Sequence, residues 1–232
     1  MKIGIFTYNF PHYKTQQGIY KLLLSQFNIT AIFAANPVEL NFPKSKIRVS
    51  PKYTNISNTL EISKIFSINY HVVKHNSKDT IDLVKSYNLD IGIILGARII
   101  SQSVIDSFNI GILNMHPGII PLNRGLDNLK WAILDNLKQG VTSHLISNEI
   151  DKGKIIDIQT IELWEDDTLI DIHIRLQELE LKMMIEALEK IKLGKEFYDV
   201  SSNGVYHTSL TDLEEEKLIA SFDSYKKKYS SL

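Results

Sequence analysis

The sequence contains no cysteine among its 232 residues. This absence excludes disulfide bonds, thiolate zinc sites, iron–sulfur clusters and a cysteine nucleophile. A net charge of either sign is also nearly absent, because 26 Lys and Arg residues balance 27 Asp and Glu residues to give a formal charge of −1. This balance argues against a general nucleic-acid or membrane-surface binder, although it leaves room for a local basic cleft.

Long apolar runs are missing as well. No stretch approaches the roughly 18 residues needed to span a bilayer, and the first apolar run, Ile3–Tyr8, is too short for a signal peptide. We therefore expect a cytoplasmic protein with no membrane association. A chain of 232 residues with 44% hydrophobic residues can form a core without disulfides or a structural metal.

Strand and helix patterns alternate over the first half of the chain. Strands are predicted at Ile3–Tyr8, Ile29–Ala35, Ile91–Leu95 and Ile112–Met115, and an extended segment at Tyr70–Lys74. Helices are predicted between them, at Gln16–Gln26, at Asn58–Ser67, from Ser77 to Tyr87 and from Ser101 onward. This order predicts an α/β fold: a Rossmann-like open, mostly parallel twisted sheet with helices on both faces. Ligands bind at the carboxyl ends of the strands in such sheets.

The remaining segments have less regular patterns. The polar stretch Pro37–Ser57 is predicted to be a long loop, and Val141–Ile146 and Lys154–Leu163 to be strands. Thr168–Leu193 predicts a long helix, followed by Gly194. Phe197–Val200 and Val205–Thr208, joined through Ser-Ser-Asn-Gly, predict a hairpin, and a charged amphipathic helix follows. We expect residues 1–165 to form a catalytic core, and residues 166–232 to form an extension that mediates dimerisation.

Three polar residues could carry chemistry. Asn114 and His116 are two residues apart at the end of a predicted strand, so both side chains point to the same side. An imidazole there can act as a general acid or base near neutral pH, and the amide of Asn114 can donate to an oxyanion. Asp151 could orient His116. The alternative is that His116 is structural or exposed and that Asp151 only shapes a turn.

The sequence from Gly111 to Ile156 gives these residues a family context. It contains Asn-x-His-Pro-Gly-Ile-Ile-Pro, then Arg-Gly, Lys-Trp-Ala-Ile, Gly-Val-Thr-x-His and Ile-Asp-x-Gly-x-Ile. This series resembles the signature of the folate-dependent formyltransferases, which include glycinamide ribonucleotide, methionyl-tRNA and nucleotide-sugar N-formyltransferases. Together with the preceding strand–helix order, the resemblance covers roughly residues 1–165.

The resemblance implies an enzyme that transfers a formyl group from N10-formyltetrahydrofolate to a primary amine without a metal. By it, Asn114 polarises the formyl carbonyl and stabilises the oxyanion. His116 assists proton removal from the amine or stabilises the intermediate, and Asp151 sets the state of His116 and relays protons. The Gly96–Ile100 loop matches the family's pterin-pocket loop, and the Ser147–Ile150 loop is expected to line the same pocket. The implied cosubstrate-binding residues are Gly96, Ala97, Arg98, Ile99, Asn148, Glu149 and Ile150.

The acceptor site is less distinctive. Tyr8, Asn9, Lys74 and Asn76 lie where a sugar nucleotide could bind, but an ordinary surface loop explains them equally well. Arg124 could bind an acceptor phosphate or brace its loop. The other histidines of interest, His144 and His173, are predicted to be structural.

Departures from the family patterns favour one acceptor class. The Gly-rich phosphate loop of glycinamide ribonucleotide enzymes is replaced by Thr-Tyr-Asn-Phe-Pro-His-Tyr-Lys. The chain also leaves too little length after Ile161 for the basic tRNA-binding barrel, and none before residue 1 for the regulatory domain of formyltetrahydrofolate hydrolases.

We therefore expect a nucleotide-sugar N-formyltransferase that contributes to surface polysaccharide or O-antigen synthesis. Family usage suggests dTDP-4-amino-4,6-dideoxyglucose as its acceptor. The same resemblance suggests a homodimer, with Tyr206-His207 near the dimer interface, and no nucleic-acid partner. A divergent glycinamide ribonucleotide enzyme of purine synthesis and a non-catalytic folate or nucleotide binder are the alternatives.

Overall fold

A computed structural model describes residues 1–39, 45–200 and 204–230 of the chain. Within these residues, a mixed sheet has the strand order β3-β2-β1-β4-β5-β7-β8-β9. The first five strands of this order are parallel, and β7, β8 and β9 are antiparallel to their neighbours. The strands are β1 (Lys2–Tyr8), β2 (Asn28–Ala35), β3 (Asn69–Val72), β4 (Ile91–Ile94), β5 (Gly111–His116), β6 (Arg124–Gly125), β7 (Gly140–Ile146), β8 (Gly153–Thr160), β9 (Tyr198–Asp199) and β10 (Tyr206–His207).

Helices cover both faces of this sheet, which confirms the predicted α/β class. They are α1 (Tyr13–Leu24), α2 (Thr59–Ile65), α3 (Lys78–Tyr87), α4 (Gln102–Ile105), α5 (Asn128–Leu134), α6 (Leu169–Lys192) and α7 (Asp212–Tyr229). Side chains of α1, α2, α5, α6 and α7 join one buried cluster, and those of α3 and α4 join the other. The alternation of β1 explains the division, because Ile3 and Ile5 enter the first cluster and Phe6 enters the second.

The long helix α6 begins and ends at clear sequence signals. Thr168 and Asp171 form a capping box at its start, and Gly194 follows its end with a left-handed φ of 65°. Buried residues of α6, such as Met183 and Leu188, belong to the same cluster as strand residues of β1 and β5. This packing ties the segment after residue 166 to the sheet. The functional division at residue 165 remains a prediction.

The predicted terminal hairpin is wrong in its pairing. β9 pairs with β8 in the main sheet, whereas β10 pairs in parallel with β6 to form a separate ladder. The chain does have an antiparallel hairpin, but β7 and β8 form it. Residues 201–203 of the proposed turn lie outside the described residues, and Gly204 has a different constraint: a Cβ there would overlap the carbonyl oxygen of Pro121. The backbone of β10 and of Val205 therefore forms hydrogen bonds with the loop that contains Pro121 and β6, and not with β9.

The carboxyl ends of β1, β4 and β5, where the sequence predicts a site, are neighbours in the sheet. Tyr8 ends β1, the Gly96–Ile100 loop follows β4, and His116 ends β5. The described part of the 37–57 loop contains no helix or strand, and residues 40–44 lie outside the described residues. Among the described helices, none is long and apolar enough to cross a membrane.

Candidate active site

His116 is buried at the end of β5, with 4% of its side chain exposed. Its Nε2 lies 2.8 Å from the carbonyl oxygen of Asn123, and its Nδ1 lies 3.3 Å from Oδ1 of Asp151. A carbonyl oxygen can only accept, so Nε2 is the donor in the first contact. A proton gained at Nδ1 would have the Asp151 carboxylate as its acceptor. The ring is therefore placed for proton transfer on the side that faces Asp151.

The Pro117-Gly118 turn makes this position possible. A Cβ on Gly118 would lie 2.6 Å from the Asn123 oxygen and 2.8 Å from Nε2 of His116. The loop can therefore close over His116 only with glycine at this position. Thr142 on β7 fastens the turn, because its fully buried hydroxyl donates to the carbonyl of Gly118 at 2.7 Å and accepts from the Ile120 amide at 3.1 Å.

Asp151 lies in the turn between β7 and β8 with a left-handed backbone, φ 48°, a region that Asp tolerates better than most residues. Its Oδ2 accepts a hydrogen bond of 2.7 Å from the backbone N–H of Gly125. One carboxylate oxygen is thereby held by the backbone while the other faces His116. Gly125 itself has φ 95°, a conformation that favours glycine.

Asn114 contacts a second buried histidine. Its Nδ2 lies 3.2 Å from Nε2 of His144, whose Nδ1 lies 3.3 Å from the carbonyl oxygen of Lys152. Burial, together with the charge of His116, lowers the pKa of His144 to about 4. His144 is therefore neutral at pH 7, its Nδ1–H donates to Lys152, and its Nε2 accepts one hydrogen from the Asn114 amide. The second amide hydrogen of Asn114 remains for a bound molecule.

A cavity of about 590 Å³ adjoins these side chains, and both Asn114 and Asp151 line it. One wall is the loop after β4, and the opposite wall is the β7–β8 turn. Its lining includes six of the predicted cosubstrate-binding residues, Ala97, Arg98, Ile99, Asn148, Glu149 and Ile150. Apolar walls with backbone polar groups at both loops suit a flat, partly apolar ring system.

A second cavity of about 700 Å³ lies beside the first and shares Tyr8, Arg98 and Ile99 with it. Tyr8 stands at the boundary: its hydroxyl donates to the Ala97 carbonyl at 3.2 Å, and its ring is stacked on Phe10 with centroids 5.0 Å apart. Burial raises the pKa of Tyr8, against the opposing charge of Arg98. Lys74 and Asn76, two of the predicted acceptor-binding residues, also line this cavity.

Several predicted site residues have other contacts. Asn9 lines neither of these two cavities, and its amide contacts Asn36 at 2.8 Å and Tyr70 at 2.8 Å. The Asn76 side chain is occupied by the Ile99 carbonyl and the Ser101 amide, both at 2.8 Å. Asn76 therefore fastens the loop after β4.

Gly96 and Arg124 are also absent from the lining of both cavities. A Cβ on Gly96 would approach the Tyr8 ring to 2.9 Å, so this glycine allows Tyr8 its position. Arg124 lies in β6, and its charge helps Lys152 to lower the pKa of Glu149 at the cavity wall. Its roles in phosphate binding or loop bracing remain predictions.

Sequence reasoning missed four contributors to the site. Asn123 acts through its main-chain carbonyl, which has no sequence signal. Thr142 and His144 belong to the Gly-Val-Thr-x-His motif, so their proximity to Asn114 and Gly118 could have been sought there. Tyr206 lines the first cavity although it lies 92 residues after Asn114. Among the described residues, no group of three His, Asp or Glu side chains is placed to hold a metal ion.

Comparison with known proteins gives one family match. A family model described as "Formyl transferase" matches residues 34–188. A methionyl-tRNA formyltransferase from Azobacteroides pseudotrichonymphae is 30% identical over 122 residues, which are 52% of this chain and 38% of the relative. The chain spans 35–47% of the length of three such curated relatives.

Solved structures share the fold over more of the chain. A 4-N formyltransferase from Francisella tularensis has a TM-score of 0.64 at 19% identity, covering 95% of this chain and 86% of that one. WlaRD, a sugar 3N-formyl transferase in the presence of dTDP and 5-N-formyl-THF, has a TM-score of 0.63 at 18% identity, covering 89% and 69%. Glycinamide ribonucleotide transformylases reach similar scores. These identities support the fold and leave the acceptor open.

Proposed function

Because this chain belongs to the formyl transferase family, as its sequence motifs predicted, we propose that it transfers a formyl group from N10-formyltetrahydrofolate to a primary amine. The observation that carries the proposal is the grouping of Asn114, His116 and Asp151 beside a cavity of about 590 Å³. A folate or nucleotide binder without catalysis would not need these three groups in one place. The apolar cavity between the two loops fits a pterin ring, whose edge could bond to their backbone groups.

Each side chain has a task in this reaction. The Asn114 amide donates its remaining hydrogen to the formyl oxygen, where negative charge develops, and one such donor is worth about 2.7–4 kcal/mol. A bond forms between the acceptor nitrogen and the formyl carbon, and the bond from that carbon to N10 breaks. The amine loses one proton and N10 gains one. His116 accepts and returns that proton while Asp151 holds the ring, a contribution of about 10²–10⁴-fold.

The acceptor in this proposal is a nucleotide-linked amino sugar, with dTDP-4-amino-4,6-dideoxyglucose as the first candidate. The second cavity supports this choice, because it combines the Tyr8–Phe10 stack with the cations Lys74 and Arg98. Stacked rings suit a base and cations suit a pyrophosphate. The loop after β1 is not the Gly-rich phosphate loop of glycinamide ribonucleotide enzymes, and the sugar formyl transferase WlaRD has been crystallised with dTDP.

Two other acceptors have specific support. The sequence relatives are methionyl-tRNA formyltransferases, and the solved structures of similar fold include glycinamide ribonucleotide transformylases. The deciding experiment incubates the protein with N10-formyltetrahydrofolate and each acceptor class, and measures product masses. A gain of one formyl group on the amino-sugar nucleotide supports the proposal. A gain only on glycinamide ribonucleotide or on methionyl-tRNA refutes the sugar assignment.

Variants test the assigned roles in the same assay. His116→Ala and Asp151→Asn are expected to lower turnover by orders of magnitude while circular dichroism stays unchanged. His173→Ala is the matched control, since His173 is a partly buried histidine of α6 that lines neither of the two cavities. Turnover near the wild-type value in His116→Ala or Asp151→Asn would remove that residue from its role.

The wider setting is also part of the proposal. We infer a cytoplasmic homodimer that serves surface polysaccharide or O-antigen synthesis and binds neither nucleic acid nor membranes. Light scattering coupled to gel filtration tests the dimer. A monomer at micromolar concentration would contradict the dimer without affecting the proposed chemistry.

A further inference from the structure

Residues 204–210 form an extended segment, here called the C-terminal strap, that runs along the loop between β5 and α5. Its backbone bonds to this loop at several points: Val205 N–H to the Pro121 carbonyl at 3.2 Å, Arg124 N–H to the Val205 carbonyl at 3.1 Å, and Leu126 N–H to the His207 carbonyl at 3.0 Å. The strap thus holds both neighbours of Gly125. Gly125 is the residue whose N–H binds Oδ2 of Asp151.

The approach at Gly125 is too close for any side chain. A Cβ there would overlap the carbonyl oxygen of His207. The direction of the Gly125 N–H is therefore set by the strap, and with it the direction of the Asp151 carboxylate. Among the described residues, β6 has no ladder partner other than β10.

His207 fixes the strap to the body of the protein. Its ring is buried and stacked on Trp131 of α5, with centroids 4.3 Å apart and planes at 18°. Its Nε2 lies 3.2 Å from Oδ2 of Asp135. The Trp131 Nε1–H donates to the Thr208 carbonyl at 2.8 Å, so ring and backbone of the strap are held by the same tryptophan.

The alternation of β10 places its two side chains on opposite sides. His207 faces α5, whereas Tyr206, which is 46% exposed, lines the cavity that contains Asn114 and Asp151. The strap is therefore part of the reaction site on one side and of the packed core on the other.

We propose that His207 is a positioning residue, which anchors the C-terminal strap so that Gly125 holds Asp151 in line with His116. This inference rests on the proposed formyl transfer for its kinetic test. Without the anchor, we expect Gly125 and Asp151 to shift by up to about 1 Å. Displacements of this size in catalytic groups lower turnover by up to about 10²-fold.

The first test is kinetic. His207→Ala and His207→Asn both remove the ring stack, and each is expected to lower kcat about 10- to 100-fold with KM for both substrates changed less than about threefold. His207→Phe keeps the stack and is expected to restore most of kcat. Tyr225→Phe is the stability control, because it removes a hydrogen bond from α7 to the Leu137 carbonyl and Tyr225 lines neither of the two cavities.

The second test asks whether His207 acts through Asp151. In an Asp151→Asn background, His207→Ala should lower kcat by less than about twofold, since the residue it positions has already lost its charge. Equal losses in both backgrounds, or wild-type kcat in folded His207→Ala and His207→Asn, would overturn the proposal.

A spectroscopic measurement separates this inference from the proposed function. The ring ¹⁵N shifts of His116 at constant pH report the hydrogen bond at Nδ1. In His207→Ala they should move in the same direction as in Asp151→Asn and stay unchanged in Tyr225→Phe. If the wild type formylates none of the acceptors, the proposed function is refuted. The role of the strap is refuted separately, if the His116 shifts in His207→Ala are unchanged.

Discussion

Replacing Gly118 by alanine tests the geometry of the site with a single methyl group. The new Cβ would lie 2.6 Å from the Asn123 carbonyl oxygen and 2.8 Å from Nε2 of His116, whereas ordinary contacts begin at 3.4 Å. The Asn123 oxygen must move by roughly 0.8 Å and the His116 ring by roughly 0.6 Å, and neither is the end of a flexible side chain. The hydrogen bond of 2.8 Å between these neighbours is therefore strained or lost.

The expected cost follows from the displacement. Overpacking of a closed site lowers the free energy of unfolding by about 1–3 kcal/mol, which for a chain of this size lowers Tm by roughly 2–12 °C. Displacement of the His116 ring by a large part of an ångström is expected to lower kcat about 10²-fold. KM for the cosubstrate should change little, because Gly118 does not line the cavity.

Gly194→Ala is the matched control. Gly194 has φ 65°, and a Cβ added there would have no atom within 4 Å, so alanine costs about 1–2 kcal/mol of backbone strain without contact to the site. Steady-state formyl transfer and thermal unfolding are measured for both variants. The reasoning is refuted if folded Gly118→Ala retains wild-type kcat, or if Gly194→Ala loses as much kcat at equal stability.

Three further predictions concern other contacts. The free energy of unfolding, measured in urea, should be highest above pH 6.5 and fall by about 3 kcal/mol between pH 6.5 and pH 4. The reason is that burial lowers the pKa of folded His144 to about 4, so the unfolded chain binds the proton more readily in this range. His144→Gln should flatten this part of the curve. Lys130→Met should lower the free energy of unfolding by about 3–5 kcal/mol in the same assay, since it leaves Glu215 buried without the cation 2.7 Å away. The double variant Lys130→Met/Glu215→Leu should recover much of this loss, and equal losses in the single and double variants would contradict the prediction. Asn76→Ala should raise KM for N10-formyltetrahydrofolate several-fold in steady-state assays with kcat nearly unchanged, because it removes the hydrogen bonds that Asn76 makes with the Ile99 carbonyl and the Ser101 N–H. An unchanged KM would show that the loop after β4 does not need these two bonds.

The parts of the fold that sequence reasoning predicted depend on short-range patterns. A buried parallel strand is a continuous apolar run, and β1, β2, β4 and β5 each have one. The two-residue period of a strand is enough to place Asn114 and His116 on one side of β5. The carboxyl-end rule then places Tyr8 and the loop after β4 beside them. These inferences need only neighbours in sequence and a sheet of known handedness.

The contacts that complete the site have no such pattern. His116 is held by the main-chain carbonyl of Asn123, an atom that every residue type provides. The ladder between β6 and β10 contains two residue pairs separated by 82 positions, too short for hydrophobic periodicity to mark either strand.

The hairpin prediction failed for the same physical reason. Asn-Gly between two apolar segments is a strong local signal for a two-residue turn, but a local signal gives no information on competing partners. In the structure β10 pairs with β6 and β9 pairs with the edge of β8, and the ring of Trp131 stacks on His207. Burying His207 and satisfying the groups around Gly125 stabilises the observed pairing, whereas a short isolated hairpin would leave both unsatisfied. The segment that follows the local turn signal thus pairs with β6, about 80 residues earlier in the chain, beside Gly125 and Asp151.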